Sequence, residues 1–322
     1  HVVPARYVLA ADGSVRVRLG ERDRSLPLVV DPVLSGFSVL GGSRDDESFA
    51  IALDPAGNVY VAGRTRSPDF PAAGRPPQGL DTQAFVAKLD PSGETLLWAT
   101  FVGGAADDVA FGIAVDAAGA AYIAGQTQSN DFPTTANAFQ PSCAGSGVNP
   151  DSCVAAFLTK LSPDGDALSY STYLFGAYNV DSGTAGFDEA HGVGLDAAGA
   201  AYVAGSTGSK HFPVTPGALQ TEFAGARDGF VAKVDPALSG RDSLRYATYL
   251  GGFFNPAAGS YGTDTPNGIA VDAQGCAIVV GSTDSADFPS VNAIQPTYGG
   301  GQDGFVAKLD PAGAALVYAT FL

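Results

Sequence analysis

The sequence predicts an all-β fold, a β-propeller of four recognisable four-stranded blades with a short N-terminal β-hairpin segment. Three observations predict it. One unit of strand, Gly turn, strand, Phe-Pro corner, strand and strand is written four times. Its first strands end at Asp54, Asp116, Asp196 and Asp272, so the unit is 62 to 80 residues long, room for the four strands of a blade. The 42 Gly and 21 Pro mark dense turns, yet 45% of residues are hydrophobic and no G-X-Y period runs through them, which excludes disorder and collagen.

Residues 1–33 hold two alternating stretches, RYVLA (6–10) and SVRVRLG (14–20), joined by Ala-Asp-Gly. This spacing predicts a hairpin, either the end of a preceding β-domain or a cap over the first blade. The array is expected over 34–322, with units at approximately 43–102, 103–174, 175–250 and 251–322. The second unit shows the pattern most plainly: GIAVDAAGAAYIAGQT (112–127), NDFP (130–133), AFLTKLSPDG (156–165) and LSYSTYL (168–174). Ahead of the first unit, GFSVLGG (36–42) matches the fourth-strand ending YATYLGG (246–252). The array therefore begins with a fourth strand that has no first three. Three readings stay open: a segment of a larger propeller, an extra outer strand, or a strand added to a neighbouring molecule.

Composition bounds the function. A net charge of −16 argues against nucleic acid, whose phosphates demand a basic face, and no run approaches the ~18–20 apolar residues of a membrane span. The chain starts at His1, and a processed or excised piece is the expectation. Cys143 and Cys153 flank the loop PSCAGSGVNPDSC, and a disulfide between them is expected, implying an oxidising compartment. Cys276 reads as a small buried strand residue.

With those pieces in place, the units resemble the SBBP repeats, a bacterial β-propeller repeat family. The resemblance rests on GIAVDxxGxxYVAGxTxSxDFP, matched by 112–133 and by 268–289 apart from Cys276-Ala277-Ile278. It rests also on DGFVAKLDPxGxxLxYATYLGG, matched by 303–322. LPLVVDPVL resembles the segment that precedes such arrays. The resemblance implies secreted or surface-attached bacterial proteins and no particular reaction. Departures are His211 in place of the Asp of DFP and Phe175 in place of the first Gly of Gly-Gly.

Recurring residues divide into structural and chemical candidates. Asp54, Asp116, Asp196 and Asp272, each followed by Xaa-Xaa-Gly, are explained by Asx turns. The Phe-Pro pairs at 70–71, 132–133, 212–213 and 288–289 should plug the space between blades. Lys88, Lys160, Lys233 and Lys308 are expected solvated or paired. Asp46, Asp108, Asp188 and Asp264 lie in the loops entering the first strands. Gathered around one mouth of the axis, they would suit Ca²⁺ and its oxygen ligands; capping of each one's own loop is the competing reading. The longer loops 175–191 and 251–267 bring Tyr178, Phe187, Glu189, His191, Phe253 and Tyr261 to the same face, a candidate sugar- or peptide-binding surface. No G-x-S-x-G, HExxH or P-loop occurs, and no catalytic residue is assigned. The expectation is a non-catalytic secreted or cell-surface scaffold or adhesive module. It would self-associate by strand addition or bind an extracellular polymer, with structural Ca²⁺. The alternative is an extracellular hydrolase, lyase or lectin using the acidic and aromatic face.

Overall fold

The fourfold repeat becomes four separate antiparallel sheets. The computed structural model describes residues 5–9, 15–19, 38–74, 76–77, 81–143, 153–176, 187–253 and 262–322. The chain divides into two compact units, His1–Phe37 and Ser38–Leu322. In the first, β1 (Ala5–Leu9) and β2 (Val15–Leu19) pair as a hairpin, Ala5 opposite Leu19 and Leu9 opposite Val15.

The second unit is the array. Blade 1 holds β3 (Asp46–Leu53), β4 (Val59–Thr65), β5 (Gln83–Leu89) and β6 (Leu96–Val102). Blade 2 holds β7 (Asp108–Val115), β8 (Ala121–Thr127), β9 (Ala155–Leu161) and β10 (Leu168–Leu174). Blade 3 holds β11 (Asp188–Leu195), β12 (Ala201–Thr207), β13 (Asp228–Val234) and β14 (Leu244–Leu250). Blade 4 holds β15 (Asp264–Val271), β16 (Ala277–Thr283), β17 (Asp303–Leu309) and β18 (Leu316–Phe321). Each sheet follows chain order, so every connection is a hairpin. Among the described residues the one helical turn is a short 3-10 segment, Gly240–Ser243.

Local chemistry explains the elements. At the first hairpin of each blade the Asp carboxylate accepts the backbone N–H two residues on, as Asp116 Oδ1 does from Ala118 at 3.0 Å. The Gly that follows stands at positive φ, 84° for Gly119 and 86° for Gly199, a conformation an L side chain rarely adopts. The β-branched and aromatic runs after it are strand formers. Their burial on both faces in blades 2 and 3 comes from neighbouring blades. Ile113 lies in one core with Tyr60 and Ala62 of blade 1, and Val193 lies with Tyr122 and Ala124 of blade 2. Ile269 packs against the core that holds Tyr202 and Ala204 of blade 3. Three of the four Phe-Pro corners lie between blades as expected, whereas Phe70 packs within blade 1, against Phe85 and Phe101. Phe132, Phe212 and Phe288 are buried in these same inter-blade cores, each against the third-strand Phe of its own blade at 4.5–4.6 Å.

First strands follow one another directly, β3 against β7, β7 against β11 and β11 against β15. Small residues permit this. A Cβ on Gly112 would sit 3.0 Å from Gly192 Cα, and one on Gly192 would sit 3.3 Å from Gly268 Cα. Contact of that extent is absent between β3 and β15 among the described residues. Blades 1 and 4 are the first and last of the four described blades.

Two sequence features turn out differently from the simplest reading. Residues 38–42 form no strand, and among the described residues no strand pairs with them. Its Gly pair still does what the later pairs do, Gly42 N–H donating to Asp46 Oδ2 at 2.7 Å. The second concerns Phe175. A Cβ on Gly103 or Gly251, its counterparts, would run into Asp108 and Gln83 or into Asp264 and Asp228. Blade 2 carries Ala155 where those blades carry Gln83 and Asp228, and Phe175 and Ala155 share one core. Cys143 and Cys153 form a disulfide with Cα atoms 5.6 Å apart. Both are buried, and residues 144–152 between them lie outside the described set. Cys276 is free and buried.

Candidate functional site

The strand-entry carboxylates point into the blades. Asp108 Oδ2 accepts the N–H of Gly104 at 2.8 Å and the hydroxyl of Ser129 at 2.9 Å. Asp188 accepts from Gly176 and Ser209 (3.0 and 3.1 Å), and Asp264 from Gly252 and Ser285 (2.9 and 3.0 Å). Thr283 adds a 2.5 Å hydroxyl bond to Asp264 Oδ1. Each Asp thus ties the end of the preceding blade's fourth strand to its own second strand. Asp108, Asp188 and Asp264 are fully buried, Asp46 half-buried. Burial pushes all three carboxyls up to about 7, against the pull of the Gly N–H and the Ser hydroxyl. Oδ1 of Asp46, Asp108 and Asp188 has no hydrogen-bond partner among the described residues. Among the described residues no group of three or more His, Cys, Asp or Glu side chains is arranged to hold a metal ion.

A second constellation occupies the first strands. Each strand carries a bulge, marked by a register shift, at Phe49, Phe111, His191 and Asn267. Phe49 packs at a tilt against Phe111 with ring centres 5.3 Å apart, and Phe111 meets His191 edge-on at 5.9 Å. His191 Nδ1 lies 2.7 Å from the Pro266 carbonyl, so this nitrogen donates. Its Nε2 faces Glu189 Oε2 at 3.4 Å. Glu189 also accepts from Gln126 at 2.8 Å and pairs with Arg227 at 2.9 Å. The His191 hydrogen bond, opposed by burial and helped by Arg227, holds the Glu189 carboxyl below the usual range. One half-buried carboxylate therefore joins blades 2 and 3, and its histidine reaches blade 4.

At the opposite ends of the strands the other Asp set is paired. Lys88, Lys160, Lys233 and Lys308 meet Asp54, Asp116, Asp196 and Asp272 at 3.5, 3.2, 3.0 and 2.6 Å. In blades 1 to 3 a Tyr pairs with this Lys in cross-strand register and donates its hydroxyl to the next blade. Tyr60 bonds Gly119 O, Tyr122 bonds Gly199 O and Tyr202 bonds Gly275 O at 2.9–3.2 Å. Blade 4 has Ile278 there. A cleft of about 610 Å³ opens at this end between blades 2 and 3, lined by Asp116, Tyr122, Lys160, Asp196 and Asp235.

Of the residues assigned to a ligand face, Glu189 and His191 come together. Phe187 and Phe253 are exposed, 51% and 61%, at the entries to blades 3 and 4. Tyr178 and Tyr261 lie outside the described residues. The sequence reading missed Gln126, Arg227 and the row from Phe49 to His191. The signal for the row was present: one column of the repeat, three residues after the entry Asp, reads Phe, Phe, His, Asn.

Four sheets of four antiparallel strands, each sheet one copy of a repeat, define a β-propeller array. The SBBP β-propeller repeat family matches three stretches of the chain, residues 39–71, 97–133 and 245–289. These stretches cover the entries to blades 1, 2 and 4. The corresponding entry to blade 3 is where Phe175 and His211 depart from the repeat. No curated protein matches the chain in sequence. A crystal structure of a protein from Lactobacillus plantarum is similar at 11% sequence identity and a TM-score of 0.41. The match covers 99% of this chain and 62% of that one, so the chain spans less than two thirds of that protein's length. No described helix is long and apolar enough to cross a membrane.

Proposed function

We propose that this chain is a non-catalytic, secreted or cell-surface scaffold that presents its strand-entry face to an extracellular polymer. The observation that carries the reading is the use made of Glu189 and His191. Both nitrogens of His191 face acceptors, and the carboxylate of Glu189 is held by Gln126 and Arg227. A general acid or base must be able to exchange a proton with a substrate; this pair is engaged in joining three blades. Phe187 and Phe253, exposed at the entries to blades 3 and 4, supply apolar contact area of the kind that stacks on sugar rings or peptide side chains.

The test is co-sedimentation with insoluble polysaccharides and with denatured matrix protein, scored beside product release. Retention that drops on the double change Phe187→Ala and Phe253→Ala, with no product formed, supports the reading. Turnover of any of these polymers that disappears on His191→Ala would overturn it in favour of a hydrolase or lyase. Calcium is tested separately by thermal unfolding with and without chelator. A calcium-dependent rise in Tm that Asp46→Asn removes would place the ion among the entry carboxylates.

A further inference from the structure

The cleft of about 610 Å³ at the turn end lies between blades 2 and 3, and both of these blades are packed against a blade on either face. The turn from β13 to β14 shapes it. In blades 1, 2 and 4 the corresponding turn closes with a backbone bond from Asp90 to Thr95, Ser162 to Ala167 and Asp310 to Ala315. In blade 3 the bond runs from Asp235 to Ser243, spanning eight positions instead of five, and the added residues coil into the 3-10 segment. At the junctions on either side an aromatic ring lies on the glycine of this turn. A Cβ on Gly165 would run into the Trp98 ring, and one on Gly313 into the Tyr246 ring. At the blade 2–3 junction Tyr170 takes their place in the repeat and instead bonds Ser243 Oγ at 2.9 Å. The Asn137 carbonyl accepts from Gly240 N–H at 3.0 Å, and its side chain donates to Pro236 O at 3.4 Å. The longer turn is thus anchored to blade 2 at three points, beside an open cleft.

Three turns border the cleft, each headed by an aspartate whose Oδ1 accepts the N–H two residues on, of Ala118, Ala198 and Ala237, at 3.0 Å. Two of these carboxylates are compensated. Asp116 meets Lys160 at 3.2 Å, and Asp196 meets Lys233 at 3.0 Å. The Lys160 ammonium also sits 4.7 Å from the centre of the Tyr122 ring. Asp235 is half-buried, accepts that one turn N–H, and meets no cation among the described residues. Val115, Leu195 and Pro236 supply apolar wall. We infer that the cleft binds a primary amine on an apolar stem, the chemistry of a lysine side chain, with its ammonium at Asp235. Three carboxylates against one ammonium in the lining attract positive charge. The volume is that of small-molecule sites, roughly 300–1,000 Å³. A bare Ca²⁺ takes about six to eight oxygens, and Asp116 and Asp196 already hold lysines and turn N–H groups. One open carboxylate beside an apolar wall suits an organic cation instead, because the wall takes the stem out of water while the charged head stays at the rim. This site lies at the opposite strand ends from Phe187 and Phe253 and is independent of polymer binding there.

The experiment follows backbone amide resonances of the full chain while n-butylammonium chloride is added to about 50 mM at constant ionic strength, a range that reveals millimolar affinity. Butan-1-ol is the neutral control. The expected result is saturable shifts at Ala118, Ala198 and Ala237 with the amine and none with the alcohol. Asp235→Ser should weaken amine binding about fivefold, the size of one partly exposed ion pair. It should still fold, since Ser162 caps the same turn in blade 2. Asp235→Asn, which keeps the capping oxygen, replaces it if its Tm falls. Asp90→Ser, at the same turn position in blade 1, should leave binding unchanged. A blocked Ala-Lys-Ala peptide titrated in the same way distinguishes the sources. Shifts at the same residues assign the site to a lysine side chain of a polypeptide, and shifts with butylamine alone assign it to a free amine. The inference is overturned if the amine gives no saturable shift, if the alcohol shifts the same residues equally, or if the Asp235 variant binds as the native chain does.

Discussion

The two ends of each blade carry one repeated aspartate apiece, and the two sets are held in opposite electrostatic states. At the strand-entry end Asp108, Asp188 and Asp264 accept neutral N–H and O–H donors and are pushed up to about 7 by burial, which at Asp188 outweighs the charge of nearby Arg227. At the turn end Asp116 and Asp196 are also drawn upward by burial. Turn N–H groups and the ammonium of Lys160 or Lys233 outweigh that and hold both carboxyls below the usual range. Residue type and repeat position alone do not tell which set is charged. The partner does, through the balance of desolvation against opposite charge and hydrogen bonding.

The sharpest break is at the entry end. Asp264→Ala should cost about 3 kcal/mol in urea unfolding, since it orphans the donors of Gly252, Ser285 and Thr283 inside the blade 3–4 junction. Asp264→Asn keeps an acceptor and should cost much less. Equal losses for the two would mean the site needs a charge.

The next effect is a dependence on pH of opposite sign for the two sets. An entry aspartate ionises near its ordinary value of 3.8 when unfolded and near 7 when folded. Its contribution is complete below about 3.8 and is lost as pH rises through about 7. The turn aspartates have folded values below 3.8, so their contribution is present above it and fades as pH falls further. Tm should therefore peak on the acid side, at about pH 4, fall as pH rises to about 7 and level off above it. Asp108→Asn should flatten the fall. A Tm that climbs steadily from pH 5 to 8 would show that the entry set is ionised in the fold.

Smaller effects belong to the turn end. Tyr122→Phe removes the bond to Gly199 O and should cost about 1 kcal/mol. Lys308→Ala should be the mildest change. Its pair with Asp272 lies on blade 4, where Ile278 stands in place of the Tyr that bridges the inner blades. If thermal melts show Lys308→Ala to be as damaging as Tyr122→Phe, the end blade is as tightly built as the inner ones.

Much of this was readable before any coordinates. The Asp-Xaa-Xaa-Gly hairpins, the Phe-Pro corners, the Cys143–Cys153 bridge and the buried Cys276 follow from short-range rules, in which a residue's neighbours in sequence are also its neighbours in space. The entry carboxylates were harder. Their position at the mouth of each blade suggests convergence on an axis, but the side chains turn inward to backbone N–H groups supplied by the preceding blade. The Lys–Asp–Tyr clamp depends on cross-strand register between residues 28 to 38 positions apart, such as Lys160 and Tyr122. The aromatic row depends on a bulge in each first strand.

By itself, then, the sequence determined the blade: its four strands, its turns, its corner and the number of copies. Those are properties of local periodicity and of residues that permit or forbid a backbone conformation. The tertiary structure alone decided which faces are dry and which aspartates are charged. Ile51 and Ile113 stand at the same place in the same motif, one largely in water and the other almost wholly buried. The difference is a neighbouring sheet, and desolvation by a neighbour is a property of packing that no residue carries within its own repeat.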